Sequence, residues 1–317
     1  GRIIDLLFII GLLGTAATGL GLGTSVVASA VTRMTGIEDG FGMQAIIIIT
    51  ATITIAYSVY RGLDDGIRVL SNINMSLALI LVTFVLLVGP TQFILEMAIV
   101  SVGHITDNFI RMMTWTDPLE RANFVESWTV FYWAWWLALG PFVGMFVCKI
   151  SHGRTIREVI FGMLGWGSLG CWLFFIVLGN HAFYLEQHGI LPIVQEASEV
   201  SPSAAIASII EILPFGTFWL FYLAVIGLIF TATTYDSASY TLAAGASRHL
   251  GEHDHPARWH RVFWAAALGI LPASLLYLGG IRVLQTASVV ASIPLLLVYL
   301  MLAVSIVRTL SAKAAKE

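Results

Sequence analysis

The chain has 317 residues, of which 58% are hydrophobic and only 11% charged, with a formal net charge of −3. Soluble domains carry about 25% charged residues, so this composition excludes a soluble globular protein and a disordered chain. It offers no basic footprint for phosphates, which excludes a nucleic-acid partner and leaves an integral membrane protein.

A helix needs about 20 mostly apolar residues to cross a bilayer core of roughly 30 Å. Eight runs free of Asp, Glu, Lys and Arg reach that length, at 6–32, 40–60, 69–95, 127–148, 159–185, 212–235, 262–281 and 283–307. None alternates as a barrel strand would. The expected fold class is all-α, a polytopic transmembrane helical bundle.

The first run contains Gly19, Gly21 and Gly23. With no strand before it this is a poor phosphate loop, and the Gly19–Gly23 pair reads as a face for close helix approach. After the third run, residues 96–126 mix apolar stretches with charges, and an interfacial amphipathic helix is expected from Leu95 to Trp115. The fourth run opens with Ser127–Gly144, SWTVFYWAWWLALGPFVG. Interfacial anchoring suits Trp128, but Trp136 lies nine residues from the start, about 14 Å deep. An indole N–H at that depth needs a partner or a cavity. Pro141 should kink the helix and free a backbone carbonyl, which is tolerated where it lines a cavity or binds an ion. Two readings stay open here: a substrate site whose indoles attract a cationic head, or tight helix packing.

Residues 186–211, with Pro192 and Pro202, read as a loop. At the end of the sixth run comes Thr231–Ser239, TATTYDSAS, whose Asp236 is the only acid between Glu211 and Glu252. A carboxylate in a span is a functional candidate by default, and the hydroxyls around it suit a small hard cation. Structural satisfaction of Asp236 by those hydroxyls is the alternative. The polar stretch 247–260 holds His249, His253 and His255, read as a solvated loop in preference to a metal site. Loops 1–5, 61–68, 149–158, 248–261 and 308–317 carry twelve of the sixteen Lys and Arg residues. That bias predicts both termini on the cytoplasmic side of a cell membrane. No catalytic constellation is present, so an enzyme is not expected.

At WTVFYWAWW…PFVGMF the sequence resembles the betaine/carnitine/choline transporter family. Further matches are GRIID (1–5), LSNINM (70–75), KISHGRTIRE (149–158) and TTYDSAS (233–239), in the family's order. The resemblance implies a secondary transporter of inverted-repeat, sodium-symporter-like fold, forming trimers through the interfacial helix. The chain would be one transporter domain over residues 1–317, holding the family's last eight helices, a piece of a longer protein.

By position, Trp133, Trp135 and Trp136 match the family's Trp motif, with Trp135 and Trp136 at the substrate site or pathway. Leu139 stands where betaine sites often have a further aromatic residue. Thr233 and Thr234 match a hydroxyl pair that binds sodium, with Asp236 and Pro141 in support. Asn74 stands where sodium-independent exchangers carry an Arg. Leu12 and Ala16 replace two Thr residues of a second sodium position. The resemblance therefore implies cation-coupled uptake of a quaternary-ammonium or zwitterionic osmolyte such as betaine, choline or carnitine, with no cofactor beyond a coupling ion, Na+ or else H+. A non-transporting membrane sensor or scaffold is the rival reading.

Overall fold

A computed structural model describes residues 2–38, 40–61, 66–119, 124–247 and 255–314. Eleven α-helices carry almost all of them, and no strand occurs among the described residues. They are α1 (Arg2–Thr35), α2 (Phe41–Arg61), α3 (Gly66–Val88), α4 (Thr91–Thr114), α5 (Phe131–Ile150), α6 (Ile156–Phe174), α7 (Asn180–Gln187), α8 (Ile193–Glu199), α9 (Pro202–Glu211), α10 (Gly216–Gly245) and α11 (Arg258–Ala314). Two π-type turns, Val125–Val130 and Phe175–Gly179, lead into α5 and join α6 to α7. Among the described residues, seven helices are long and apolar enough to cross a membrane.

The core is built along α1. Towards its start, Phe8, Leu12 and Leu20 pack with Ile48 of α2, Tyr235 and Leu242 of α10, and Leu268 and Leu284 of α11. Towards its end, Val27 and Ala28 pack with Val82 of α3, Ile210 of α9 and Leu220 of α10. The register of these contacts fixes direction. Gly245 lies against Phe8, Tyr235 meets Ala16, Thr231 faces Gly23 and Gly227 faces Val27, so α10 is antiparallel to α1. Trp135 meets Thr15 while Ala138 meets Gly11, so α5 is antiparallel to α1 as well. On α3, the Phe84 ring lies tilted against Trp219 with centroids 4.2 Å apart and Leu77 accepts a hydrogen bond from Tyr222, which makes α3 antiparallel to α10 and parallel to α1.

These directions settle α4. Helix α3 ends, and α5 begins, on the side where α1 ends. Trp115, just beyond α4, stacks with Phe124 just before α5, their centroids 6.1 Å apart. Both ends of α4 thus lie on one side of the bundle, and it runs along that face although its length and composition would let it cross. The interfacial helix expected from Leu95 therefore exists but starts at Thr91. The third span stops at Val88, not at 95, because Pro90 has no N–H to continue the ladder after Gly89.

Helix α11 is helical over 57 residues yet cannot be straight. Its His260 approaches Ser247, beside the Gly245–Phe8 contact, while Leu295 lies against Gly11, one turn along α1 from Phe8. A straight helix would separate residues 260 and 295 by about 52 Å. The path folds back between its two spans, Arg258–Leu278 and Arg282–Ala312, which restores the seventh and eighth expected crossings.

Two more boundaries differ from expectation. The sixth span runs ten residues further, to Gly245, since no helix breaker follows Asp236. The loop expected at 186–211 is mostly the short helices α8 and α9, the latter capped by Ser201, whose hydroxyl accepts from the Ala204 N–H. Arg33, at the end of α1, donates to Glu196 of α8 and Glu211 of α9, and the Ser208 hydroxyl bonds the other oxygen of Glu196 at 2.5 Å. Of the His-rich stretch, His249 and His253 lie outside the described residues. His255 shares a hydrogen bond with the Tyr240 hydroxyl at 2.9 Å.

Candidate functional site

The aromatic run sits on α5, where consecutive side chains point about 100° apart on a 3.6-residue turn. That separation divides the Trp residues. Trp135 turns inward: its indole N–H donates to the Thr15 carbonyl of α1 at 3.2 Å, and its ring stacks on Phe131 with 12° between planes. Trp133 and Trp136 turn outward, with 62% and 56% of their surface exposed on this chain. The expectation that places Trp135 and Trp136 together is thus divided between two faces. Leu139 is half-buried against the core around α1.

Pro141 leaves the Leu137 carbonyl without its helical donor. In place of a cavity or an ion, the Tyr299 hydroxyl of α11 reaches this carbonyl at 3.0 Å. Gly140 makes the approach possible, since a methyl group there would overlap that hydroxyl. The helix continues through Pro141, and a residue 162 positions away supplies the missing donor.

On α10, Asp236 is buried, with 2% of its surface exposed. Thr233 is half-buried, and its hydroxyl donates within the helix to Ile229 and Phe230 carbonyls at 3.0 and 3.1 Å. Thr234 faces outward. Asn74 of α3 is half-buried, on a helix that meets α10 at Leu77–Tyr222 and Phe84–Trp219. Leu12 and Ala16 are buried core residues of α1.

The residues that tie these pieces together escape a reading by motif. Three consecutive carbonyls of α1 each accept from a side chain of another helix: Gly14 from Ser288 of α11 at 3.1 Å, Thr15 from Trp135 of α5, and Ala16 from Tyr235 of α10. The Thr18 hydroxyl, 2.6 Å from that of Ser288, donates to the Leu284 carbonyl at 2.7 Å. A Cβ on Gly19 would lie 3.2 Å from the Tyr235 hydroxyl and 3.8 Å from the Trp135 ring, so both rings converge on that glycine. The Gly19–Gly23 spacing is the one sequence signal of this junction, and it serves as the close-approach face that the spacing predicts.

Comparison with known proteins bears on what the junction belongs to. The profile described as "BCCT, betaine/carnitine/choline family transporter" matches residues 1–315. The chain is 33% identical over 317 residues to a carnitine transporter of Acinetobacter baumannii, covering all of this chain and 58% of that protein. It is 34% identical over 301 residues to the transporter YeaV of Escherichia coli K12, covering 95% of this chain and 63% of that one. Against the high-affinity choline transport protein of Escherichia coli K12 the identity is 35% over 295 residues, covering 93% and 43%. The chain spans about half the length of these curated relatives.

Proposed function

This chain belongs to the betaine/carnitine/choline transporter family, whose members are transporters and not enzymes, and from that premise we propose its activity. It works as a secondary transporter, or the larger part of one, for a small quaternary-ammonium or related zwitterionic osmolyte such as carnitine, choline or betaine. The observation that carries this reading is the unbroken family match over residues 1–315, joined by identity to a carnitine transporter along the whole chain.

The site follows from the division of the tryptophans. Trp136, outward on α5 beside the Pro141 turn, offers its indole face to a cationic head, and Trp133 lies one turn earlier on a neighbouring face. A cation over an indole face gains about 0.5–2 kcal/mol, more as water is excluded. Thr233 and Thr234 contribute hydroxyls to a sodium ion that drives uptake, with buried Asp236 close by on the same helix. The protein sits in the cell membrane with the start of α1 and the end of α11 on the cytoplasmic side, as a homotrimer that assembles through α4.

The test is uptake of labelled carnitine and choline by the protein at the length its gene encodes. Trp136→Ala abolishes uptake, and normal uptake by that variant removes Trp136 from the site. Withdrawal of external sodium lowers uptake at least tenfold; an unchanged rate replaces sodium by a proton as the coupling ion.

A further inference from the structure

The two proposed subsites do not touch each other. One is on α5 and the other on α10, and what they share is a single turn of α1. Trp135, the sequence neighbour of Trp136, donates to the Thr15 carbonyl. Tyr235, the sequence neighbour of Thr234, donates to the Ala16 carbonyl. Both donors are aromatic, both pack over Gly19, and Tyr235 is buried, with 3% of its surface exposed. A third helix holds the same turn, because Ser288 donates to the Gly14 carbonyl.

We propose that the Gly14–Ala16 turn of α1 is the coupling joint between the ion and substrate subsites, and that Tyr235 and Trp135 are its positioning residues. The inference rests on the proposed sodium-coupled reading. Each of these carbonyls already serves the backbone ladder of α1, so its second acceptor position is the one taken by the side chain. In the membrane interior no water competes for that position, so each link holds the register of one helix against another. Displacement of α10 by an ion at Thr233–Thr234 is carried by the Tyr235 hydroxyl to Ala16. From the adjacent Thr15 carbonyl it passes through the indole N–H to Trp135, and so to the orientation of Trp136. Neither positioning residue need touch ion or substrate. The sequence position of each, directly beside a subsite residue, makes a small axial shift at one subsite felt at the other.

Coupling of this kind is a factor by which one ligand changes the affinity of the other, and it is reciprocal. Tyr235→Phe keeps the ring and removes only the donor. The experiment measures the dissociation constant of carnitine, and separately of choline, with and without sodium, in proteoliposomes of the protein at the length its gene encodes. In the parent, sodium tightens binding by about 5–150-fold, the usual span of such coupling. In Tyr235→Phe the factor falls to within about twofold of unity, while affinity without sodium stays within twofold of the parent's. Trp135→Phe lowers the factor likewise, and the double variant falls no further, because both changes break one chain of contacts. A merely structural role would weaken binding with and without sodium alike and leave the factor intact. A Tyr235→Phe protein that keeps the parental factor overturns the joint while leaving the sodium reading in place. A parent with no sodium effect on affinity overturns the sodium reading and the joint together.

Discussion

Helices α1 and α6 have nearly the same composition on paper, long apolar runs dotted with glycine, yet they have opposite fates in this chain. Gly11, Gly14, Gly19, Gly21 and Gly23 of α1 each face a side chain of a neighbouring helix. Gly162, Gly165, Gly167 and Gly170 of α6 each face open space, and α6 has no buried residue. Glycine in a span is therefore not a packing signal by itself. The difference lies in the company it keeps: α1 interleaves its glycines with Thr15, Thr18, Thr24, Ser25 and Ser29, all buried, whereas α6 between Ile156 and Phe174 has only Ser168. Small residues let backbones approach, and the Thr18 hydroxyl then bonds across the gap to the Leu284 carbonyl of α11.

Three substitutions break or sharpen this contrast, each read as unfolding of the purified protein in detergent. The largest effect is expected for Gly14→Leu. A Cβ at Gly14 already sits 3.1 Å from the Ala291 methyl and 3.4 Å from the Ala287 carbonyl, so a Leu side chain overpacks the α1–α11 seam by about 1–3 kcal/mol. Unchanged stability would mean that α1 and α11 separate easily. Next comes Tyr299→Phe, which strips the Leu137 carbonyl of the donor that replaces Pro141's missing N–H. The loss is about 1 kcal/mol, in line with hydrogen bonds between membrane helices, and a wild-type melting curve would show that lipid or water takes over the role. The smallest is Gly165→Leu on α6, expected within about 0.5 kcal/mol of the parent because the site is open. A cost equal to that of Gly14→Leu would show α6 to be packed against something in the assembled protein.

The same contrast explains how far the sequence could be read. Crossings are legible because a bilayer imposes one length and forbids charge, and α1, α2 and α5 lie within a few residues of the expected runs. The end of α3 was also written in the chain, as Gly89–Pro90, but a count of charge-free residues passes over a proline. What could not be read is which way a side chain turns. Trp135 and Trp136 are adjacent and chemically identical, and only the position of α1 separates an anchored indole from an exposed one. Tyr299 and Leu137 are 162 residues apart, and Ser288 and Gly14 are 274 apart; no local pattern pairs them. Tyr235 was hidden in plain view, between a threonine pair and an aspartate that drew attention as ion ligands.

Because α4 begins and ends on one side, it also acts as a parity device. Five crossings follow it: α5, the α6–α7 rod, α10 and the two arms of α11. Were α4 threaded through the bilayer, every one of them would be inverted, and Arg154, Arg157, Arg258 and Arg308 would emerge on the face opposite to their present one. Glu96, Asp107 and Arg111 on α4 weigh against that passage, since each would have to cross the lipid interior. Three charges on one surface helix thus protect the handedness of everything synthesised after it.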